Sequence, residues 1–572
     1  YNAFFKTGIV QILKEKNPIR IIKGLDPKTK EHNLKANLYI GGKEGNKIYY
    51  GKPIIYDDNR SHYMYPNEAR LRNMTYGFSI HVEVDVEFLI THYNPEKAGT
   101  SEEYNIIETL ITLPQKIYLG RFPIMLQSNL CVLNNLPKQV RFNMGECKNE
   151  PGGYFIIDGK EKVIICQEKF ANNMLYVKDN YSEVYSTSAE IRSVSEDASK
   201  PIRTTSVRLV APTNQLSNNQ IVVNVPNVRK PVPLFILMRA LGIISDKEII
   251  EMCLLDMEKN KNLIELFIPS IHDAGPIFTQ ETAIEYIKTF TKHKSIPSVL
   301  EILSNYFLPH VGEMNYKNKA YFVGYMVYKL LLVHVKAEKS TDRDSFNFKR
   351  VELSGTLIFD LFNEYYTIQQ RNIWLSIDKE YTYHQGAYES SDTFPQLILN
   401  NYNQYFKEQT TANGFRKAFK GNWGAEDHTK KVGVVQDLNR LSFNSAISQL
   451  RKLNLPLEES AKIVGPRLLH GSQWGIIDPV DTPDGGNVGT HKHMAITTNI
   501  SDGFSSYPLI RFLRKYGMKV LEESTPKYIA NVTKIIINGN WCGTTEAPVE
   551  MMKELKFRRR IAAIPLFTSI SW

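Results

Sequence analysis

Cysteine is scarce: 572 residues hold five, Cys131, Cys147, Cys166, Cys253 and Cys542, with no C-x-x-C pair. That spacing excludes a disulfide framework and a cysteine-built zinc cluster, and it points to a reducing compartment. Long apolar runs are missing too. The most apolar stretch, "AYFVGYMVYKLLLVHV" from Ala320 to Val335, carries Lys329 and His334. It is shorter than the roughly 20 residues a bilayer span requires, so it reads as a core helix and no membrane partner is expected. The chain opens at Tyr1 with "YNAFFKTGIVQILKE", which lacks the charged start and apolar centre of a secretory signal. Beginning without Met and ending abruptly at Trp572, it reads as a cut piece of something longer. Internal repeats and long low-complexity segments are absent.

What is present is size and positive charge. At 572 residues, 42% of them hydrophobic, the chain exceeds the roughly 250 to 300 residues at which single cores stop growing, so two to four domains are expected. A net charge of +10 favours a polyanionic partner, with solvated basic surface as the plainer reading. The first part, to about Val177, is rich in β-branched and aromatic runs. "YFIIDGKEKVIICQE", Tyr154 to Glu168, places two of them around an Asp-Gly turn and predicts a hairpin. A Ser-, Arg- and Asp-rich stretch from about Ser182 to Arg208 reads as a domain crossing. Helical character follows in "VPLFILMRALGIISDKEIIEMCLLD", Val232 to Asp256, with Ser245 and Glu248 as a capping box, and again in "FPQLILNNYNQYFKE" near residue 400. The polar, basic stretch from Lys407 to Lys431 predicts a mobile connection.

Several motifs imitate chemistry. "GGYFIIDGK" resembles a phosphate-binding loop, but five residues separate Gly153 from Gly159, one too many, and Glu161 stands where Ser or Thr would hold magnesium. "GGKEGNK", Gly41 to Lys47, reads as a flexible turn. Asp342 and Asp344 form a D-x-D pair among Arg343, Lys349 and Arg350, which favours local ion pairing over metal. In an extended "THKHM", His491 and His493 share one face, too few for a metal centre without a third ligand. "GSQWGIIDPVDTPDGGNVG", Gly471 to Gly489, spaces Asp478, Asp481 and Asp484 among Pro479, Pro483, Gly485, Gly486 and Gly489. The carboxylates could converge on two metal ions, but Asp-Pro and Asp-Gly are also ordinary turn chemistry, and composition favours the turn. If Gln436 to Leu453 formed one straight helix, Gln436, Arg440, Asn444 and Arg451 would share an arc of about 80°. The leucines form no opposite stripe, so two shorter helices or burial on several sides fits as well. Such a basic set either faces a phosphate backbone or lies solvated.

The Gly471 loop, continued to "GTHKHMA", resembles the segment H-x-x-H-W-G-x-x-C-P-x-E-T-P-E-G-x-x-x-G-L-V-K-N-L-A of the second-largest subunit of multisubunit DNA-directed RNA polymerases. "YPNEARLRNMTY" (Tyr65 to Tyr76), "GRFPIMLQSNLC" (Gly120 to Cys131), "GECKNEPGGYFIIDGKEKVIICQEKFANN" (Gly145 to Asn173), "RALGIISDKEI" (Arg239 to Ile249), "DRDSFNFKRVELSG" (Asp342 to Gly355) and "GNWG" (Gly421 to Gly424) follow in the family's order. The resemblance implies an α+β multidomain fold: a protrusion domain (1–186, resuming at 356–420) with an inserted lobe (187–355), then a fork (421–501) and the start of an external domain (502–572). Ala425 to Lys431 would be the first fork loop and Leu453 to Ile463 the second.

By the same resemblance Gln436, Arg440, Lys462, Arg467 and His470 fall on family positions near template, hybrid or nucleotide, where they would neutralise phosphate and read A-form shape. Asp481 and Asp484 replace paired glutamates, Lys492 keeps its place, Glu458 and Glu459 stand where basic or small residues are common, and Gly-Leu-Val-Lys-Asn-Leu has become "GTHKHM". These departures and the Lys, Ile and Asn richness resemble a divergent, eukaryotic- or archaeal-like version, such as that of a large DNA virus. The resemblance implies a nucleotidyltransferase: an RNA 3′ hydroxyl attacks the α-phosphate of a nucleoside triphosphate with Mg2+ bridging the phosphates. The family's magnesium-holding aspartates lie in the largest subunit, and no D-F-D-G-D motif occurs here, so no catalytic or metal-ligating residue is assigned and the fragment alone is expected to be inactive. Expected partners are the largest and smaller polymerase subunits, DNA template, RNA transcript and nucleoside triphosphates. A Zn2+ site would belong to the C-terminal half beyond Trp572. The setting would be intracellular, in the nucleus or, for a virus, a cytoplasmic factory or virion. The competing readings are a stand-alone basic nucleic-acid-binding protein and a divalent-metal nuclease or nucleotidyltransferase.

Overall fold

The computed structural model describes residues 1–25, 31–58, 60–93, 104–197, 200–213, 218–457 and 463–572. The chain divides into two compact units, each built from segments distant in sequence: Tyr1–Lys169 with Arg350–Thr498, and Phe170–Lys349 with Asn499–Trp572. Both mix helices with several sheets, the α+β character expected.

In the first unit, strands Ile19–Leu25, His32–Ile40, Val84–Tyr93 and Tyr104–Thr112 form an antiparallel sheet in that order. Period-2 alternation puts Leu34, Ala36, Leu38 and Ile40 of the second strand into the core. The long helix Ser354–Tyr383 buries Leu357, Leu361, Tyr365, Gln369, Ile373, Ile377 and Tyr381, every fourth residue, so one stripe faces inward. Aromatic rings fill the space it covers: Phe122 and Phe415 stand edge to face at 4.8 Å, and Phe155 and Phe419 at 4.9 Å. Truncating a fully buried ring such as Phe155 or Phe362 would cost about 3–5 kcal/mol.

The hairpin is found where the Asp-Gly pair predicts it. Phe155–Ile157 pairs antiparallel with Lys160–Ile164, and both turn residues are left-handed, Asp158 at φ 48° and Gly159 at φ 78°. Two such residues make the turn whose twist matches the strands. The nucleotide-loop imitation is therefore this hairpin. At Gly41 to Lys47 a turn forms, as read, closed by Lys47 N–H on the Gly41 carbonyl at 2.9 Å.

The stretch Lys407 to Lys431 departs from the mobile connection expected. It contains the helix Thr410–Phe419, which buries Thr411, Phe415, Ala418 and Phe419 against the long helix and strand Ile117–Pro123. Helical spacing of those residues outweighs the polar average of the window.

The second unit centres on an antiparallel sheet of Leu175–Asp179, Tyr185–Ser193, Arg203–Val210, Ile221–Asn224 and Val232–Pro233. The Ser-, Arg- and Asp-rich stretch at 182–208 is not a crossing between units: it supplies the second and third of these strands, with Ala189, Ile191 and Val207 buried between polar neighbours. Tyr316–His334 is the core helix that the apolar run predicts, and its buried Lys319 donates to the carbonyls of Leu303 (2.7 Å) and Ser304 (2.8 Å). Helix Asp246–Leu254 starts after Ser245 as read, but the Ser245 side chain makes no cap hydrogen bond, so the box with Glu248 does not form. Helices also occupy Phe394–Leu399 and Tyr402–Tyr405 of the first unit, as their sequence predicts. Among the described residues no helix is long and apolar enough to cross a membrane.

Candidate nucleic-acid interface

The segment Gln436 to Leu453 is not one straight helix and not two, but a single short helix between two strands. Val435–Asp437 is a strand, Phe443–Leu450 a helix and Lys452–Asn454 a second strand. Ser442 caps the helix by accepting from Ser445 N–H while Ser445 returns a bond to the Ser442 N–H, which stops helix upstream of residue 443. Gln436, Arg440, Asn444 and Arg451 consequently share no helical arc.

Both strands are sewn to the earlier chain. Val435–Asp437 pairs with Lys160–Ile164, Gln436 opposite Val163, and Lys162 meets Asp437 at 2.6 Å. Lys452–Asn454 runs parallel to Cys166–Phe170 on one side and antiparallel to His491–His493 on the other. Period 2 then settles "THKHM": Lys492 points inward to Glu168 at 3.0 Å, with side chains 8% and 1% exposed, while His491 and His493 take the other face. His493 Nδ1 lies 3.3 Å from Asp481 Oδ1.

Arg440 is committed to carboxylates. Its guanidinium reaches Glu161 at 2.8 and 2.9 Å, Glu150 at 3.1 Å and the Tyr154 hydroxyl at 3.0 Å. Arg70 joins the same group, donating to Glu161 (2.9 Å), Tyr154 (2.7 Å) and, in fork geometry, both oxygens of Glu146. Burial pushes the Glu161 carboxyl up, but Arg440 and Arg70 outweigh it and hold its pKa below the usual value. Two guanidiniums among three carboxylates leave the group one negative charge in excess. Lys431 is similarly placed: with Lys169 it flanks buried Glu352 at 2.8 and 3.0 Å.

Of the remaining expected residues, Gln436 sits within the strand Val435–Asp437, and Arg467 and His470 lie at short helical turns. Gln436 donates to the Gly433 carbonyl at 3.2 Å. Arg467 donates to the carbonyls of Gly486 (2.6 Å) and Val488 (3.0 Å), and His470 Nδ1 meets Ser472 Oγ at 2.7 Å. Lys462 lies outside the described residues, with Glu458 and Glu459. In the first loop, one oxygen of Glu364 accepts from Ala425 N–H (3.1 Å), Glu426 N–H (3.2 Å) and Thr429 Oγ1.

The three aspartates have separate jobs. Asp478 Oδ1 accepts the N–H groups of Val480 (2.9 Å) and Asp481 (3.0 Å), and these bonds lower its pKa. This is an Asx turn. Asp481 faces His493, and Asp484 precedes a turn at Gly485–Asn487 without capping it. Gly489 closes the loop at φ 72°; a Cβ there would lie 2.3 Å from the Arg467 carbonyl oxygen. Beside it Trp474 is 93% and Val480 81% exposed, so this rim is uncovered in the chain. Among the described residues no three His, Cys, Asp or Glu side chains gather as metal ligands. In the second unit Asp342 accepts the Asp344 N–H at 3.1 Å, and Arg343 pairs with Glu190, not with the D-x-D pair.

Residue-by-residue reading missed the carboxylates Glu146, Glu150, Glu161, Glu168, Glu352 and Glu364. A signal was present: the first four lie in the single motif stretch Gly145 to Asn173, more acid than a hairpin requires.

The ordered motifs have their counterpart in known proteins. Residues 1–401 match the family described as RNA polymerase beta subunit, and residues 436–500 match RNA polymerase Rpb2, domain 3. The chain belongs to the second-subunit family of DNA-directed RNA polymerases. It is 34% identical to the DNA-directed RNA polymerase II subunit RPB2 of Encephalitozoon cuniculi over 98% of its own length and 47% of the relative's. The Schizosaccharomyces pombe RNA polymerase II subunit RPB2 is 33% identical over 92% of the chain and 43% of the relative, and the Saccharomyces cerevisiae RNA polymerase III subunit RPC2 is 26% identical over 100% and 46%. The chain spans about half the length of the curated relatives it matches.

Proposed function

We propose that the chain is the N-terminal part of the second-largest subunit of a DNA-directed RNA polymerase and that it lines the cleft for the RNA–DNA hybrid and downstream DNA. The observation that carries this reading is the collinear family match over nearly all residues. On it, 1–186 with 356–420 is the protrusion, 187–355 the lobe, 421–501 the fork and 502–572 the start of the external domain. Gln436, Lys462, Arg467 and His470 face phosphate or nucleotide, and Asp481 and Asp484 shape the rim. Arg440 and Lys492, whose charges rest on Glu161 and Glu168, support that surface from behind. The catalytic Mg2+ is held mainly by aspartates of the largest subunit, and this chain supplies walls and fixed charge.

The test is reconstitution. The complete subunit should co-purify with a largest subunit and with smaller subunits and support templated RNA synthesis. Lys462→Ala with Arg467→Ala should slow elongation while leaving assembly intact; failed assembly with normal elongation would contradict the reading.

A further inference from the structure

We propose that Glu161 is the positioning residue of the fork: it fixes the strand Val435–Asp437 by holding Arg440 and Arg70 on one carboxylate, and Arg440 acts through it and does not touch nucleic acid. The inference rests on the polymerase reading above. Glu161 sits in the hairpin strand Lys160–Ile164, the strand that pairs with Val435–Asp437. Backbone and side chain fasten the same place, since the Glu161 carbonyl also accepts the Leu438 N–H at 3.0 Å. One Glu161 oxygen takes Arg70 Nε and a terminal Arg440 nitrogen; the other takes Arg440 Nε.

The chemistry decides between a clamp and a phosphate contact. Guanidinium–carboxylate bonds in a partly desolvated group are short and directional. Glu150 and Glu146 beneath are 1% and 2% exposed, and a buried carboxylate stripped of its cation is strongly unfavourable. Swinging Arg440 out to a phosphate would strand Glu150 and leave Glu161 to Arg70 alone. The Tyr154 hydroxyl, accepting from both arginines at 2.7 and 3.0 Å, would lose one donor as well. Retaining Arg440 in place keeps the whole hub satisfied and keeps Gln436, one residue from the strand's end, at a fixed distance from the hairpin.

The experiment uses the complete subunit in the assembled polymerase, as wild type, Glu161→Gln, Arg440→Gln, Arg440→Lys and the Glu161→Gln/Arg440→Gln pair. Each single Gln variant is expected to slow elongation about tenfold, and the pair to be no slower than either, as for residues acting as a unit. Arg440→Lys should recover part of the rate. The salt slope of nucleic-acid binding should stay at the wild-type value in all four. If Arg440 contacted phosphate, Arg440→Gln would reduce that slope by about 1, and Glu161→Gln would tighten binding by releasing the guanidinium. Either result, additive single effects or unchanged elongation in Glu161→Gln overturns the proposal. Amide exchange at Val435 to Leu438 reads the hub without catalysis: it should quicken in both single Gln variants, and unchanged exchange also overturns it. A wild-type assembly that makes no templated RNA would sink the polymerase reading, while the exchange measurement would still judge the hub.

Discussion

Glu168 and Lys492, 324 residues apart in the chain, meet at 3.0 Å with almost no solvent on either side chain. Lys492 is thereby a strut between strands Cys166–Phe170 and His491–His493, which flank Lys452–Asn454. Removing one partner takes the opposite charge away from a buried ion, so Glu168→Gln or Lys492→Met should each destabilise the first unit by about 3–5 kcal/mol. The pair Glu168→Leu/Lys492→Met should recover much of that. Denaturant unfolding of the four proteins checks it; additive losses would contradict the strut.

Lys319 predicts a pH dependence in the second unit. Burial lowers its pKa from 10.5 to about 7, opposed by the charge of Glu313. Because the folded value lies below the unfolded one, the unfolded chain holds the extra proton between them. Stability should therefore rise as pH climbs from about 7 to 10.5. Lys319→Met should flatten that rise in thermal unfolding scans; an unchanged pH slope would show that Lys319 is not its source.

The segment Ala425 to Thr429 is held by the carboxylate of Glu364. Glu364→Gln turns one acceptor oxygen into a donor amide facing Ala425 N–H, Glu426 N–H and Thr429 Oγ1. Local opening should become easier, and tryptic cleavage after Lys430 and Lys431 should rise on the order of tenfold. Equal cleavage rates in wild type and variant would show that other contacts hold the loop.

Gly489→Ala should unsettle the aspartate loop. At φ 72°, with a backbone oxygen 2.3 Å from the new Cβ, the chain must shift, at about 1–3 kcal/mol. Gly489 N–H to Thr482 Oγ1 and the Arg467 bonds should loosen together, visible as faster exchange at Val488 to Thr490. Exchange at the wild-type rate would mean that the loop tolerates the methyl group.

Local chemistry was legible in the sequence and remote pairing was not. The Asp158–Gly159 turn and the helix Tyr316–His334 follow from neighbours a few residues apart, and the structure has both. The helix Thr410–Phe419 was equally local: Thr411, Phe415 and Ala418 have helical spacing, which the basic average of the window hid. Gln436 to Leu453 could not be one straight helix because the partners of its two ends, Lys160–Ile164 and Cys166–Phe170, lie almost 300 residues earlier, and strand pairing there overrode local periodicity and left helix only at Phe443–Leu450. For the candidate site, Arg440 was singled out as a cation, but the carboxylates that occupy it are 279 and 290 positions away. Asp478 was readable as a turn because the N–H groups that donate to it belong to its own neighbours.

The pairing of Lys160–Ile164 with Val435–Asp437 also sets an order of events during synthesis. At about 5–20 residues per second, the hairpin waits on the order of tens of seconds for its third strand to emerge, and all of Phe170–Lys349 emerges in between. During that interval Glu161 has no Arg440 to pair with, and Phe155 lacks its edge contact with Phe419. The nascent first unit thus passes through a long half-built stage, in which Glu146, Glu150 and Glu161 keep acidic charge beside the open edge and discourage it from pairing with another chain.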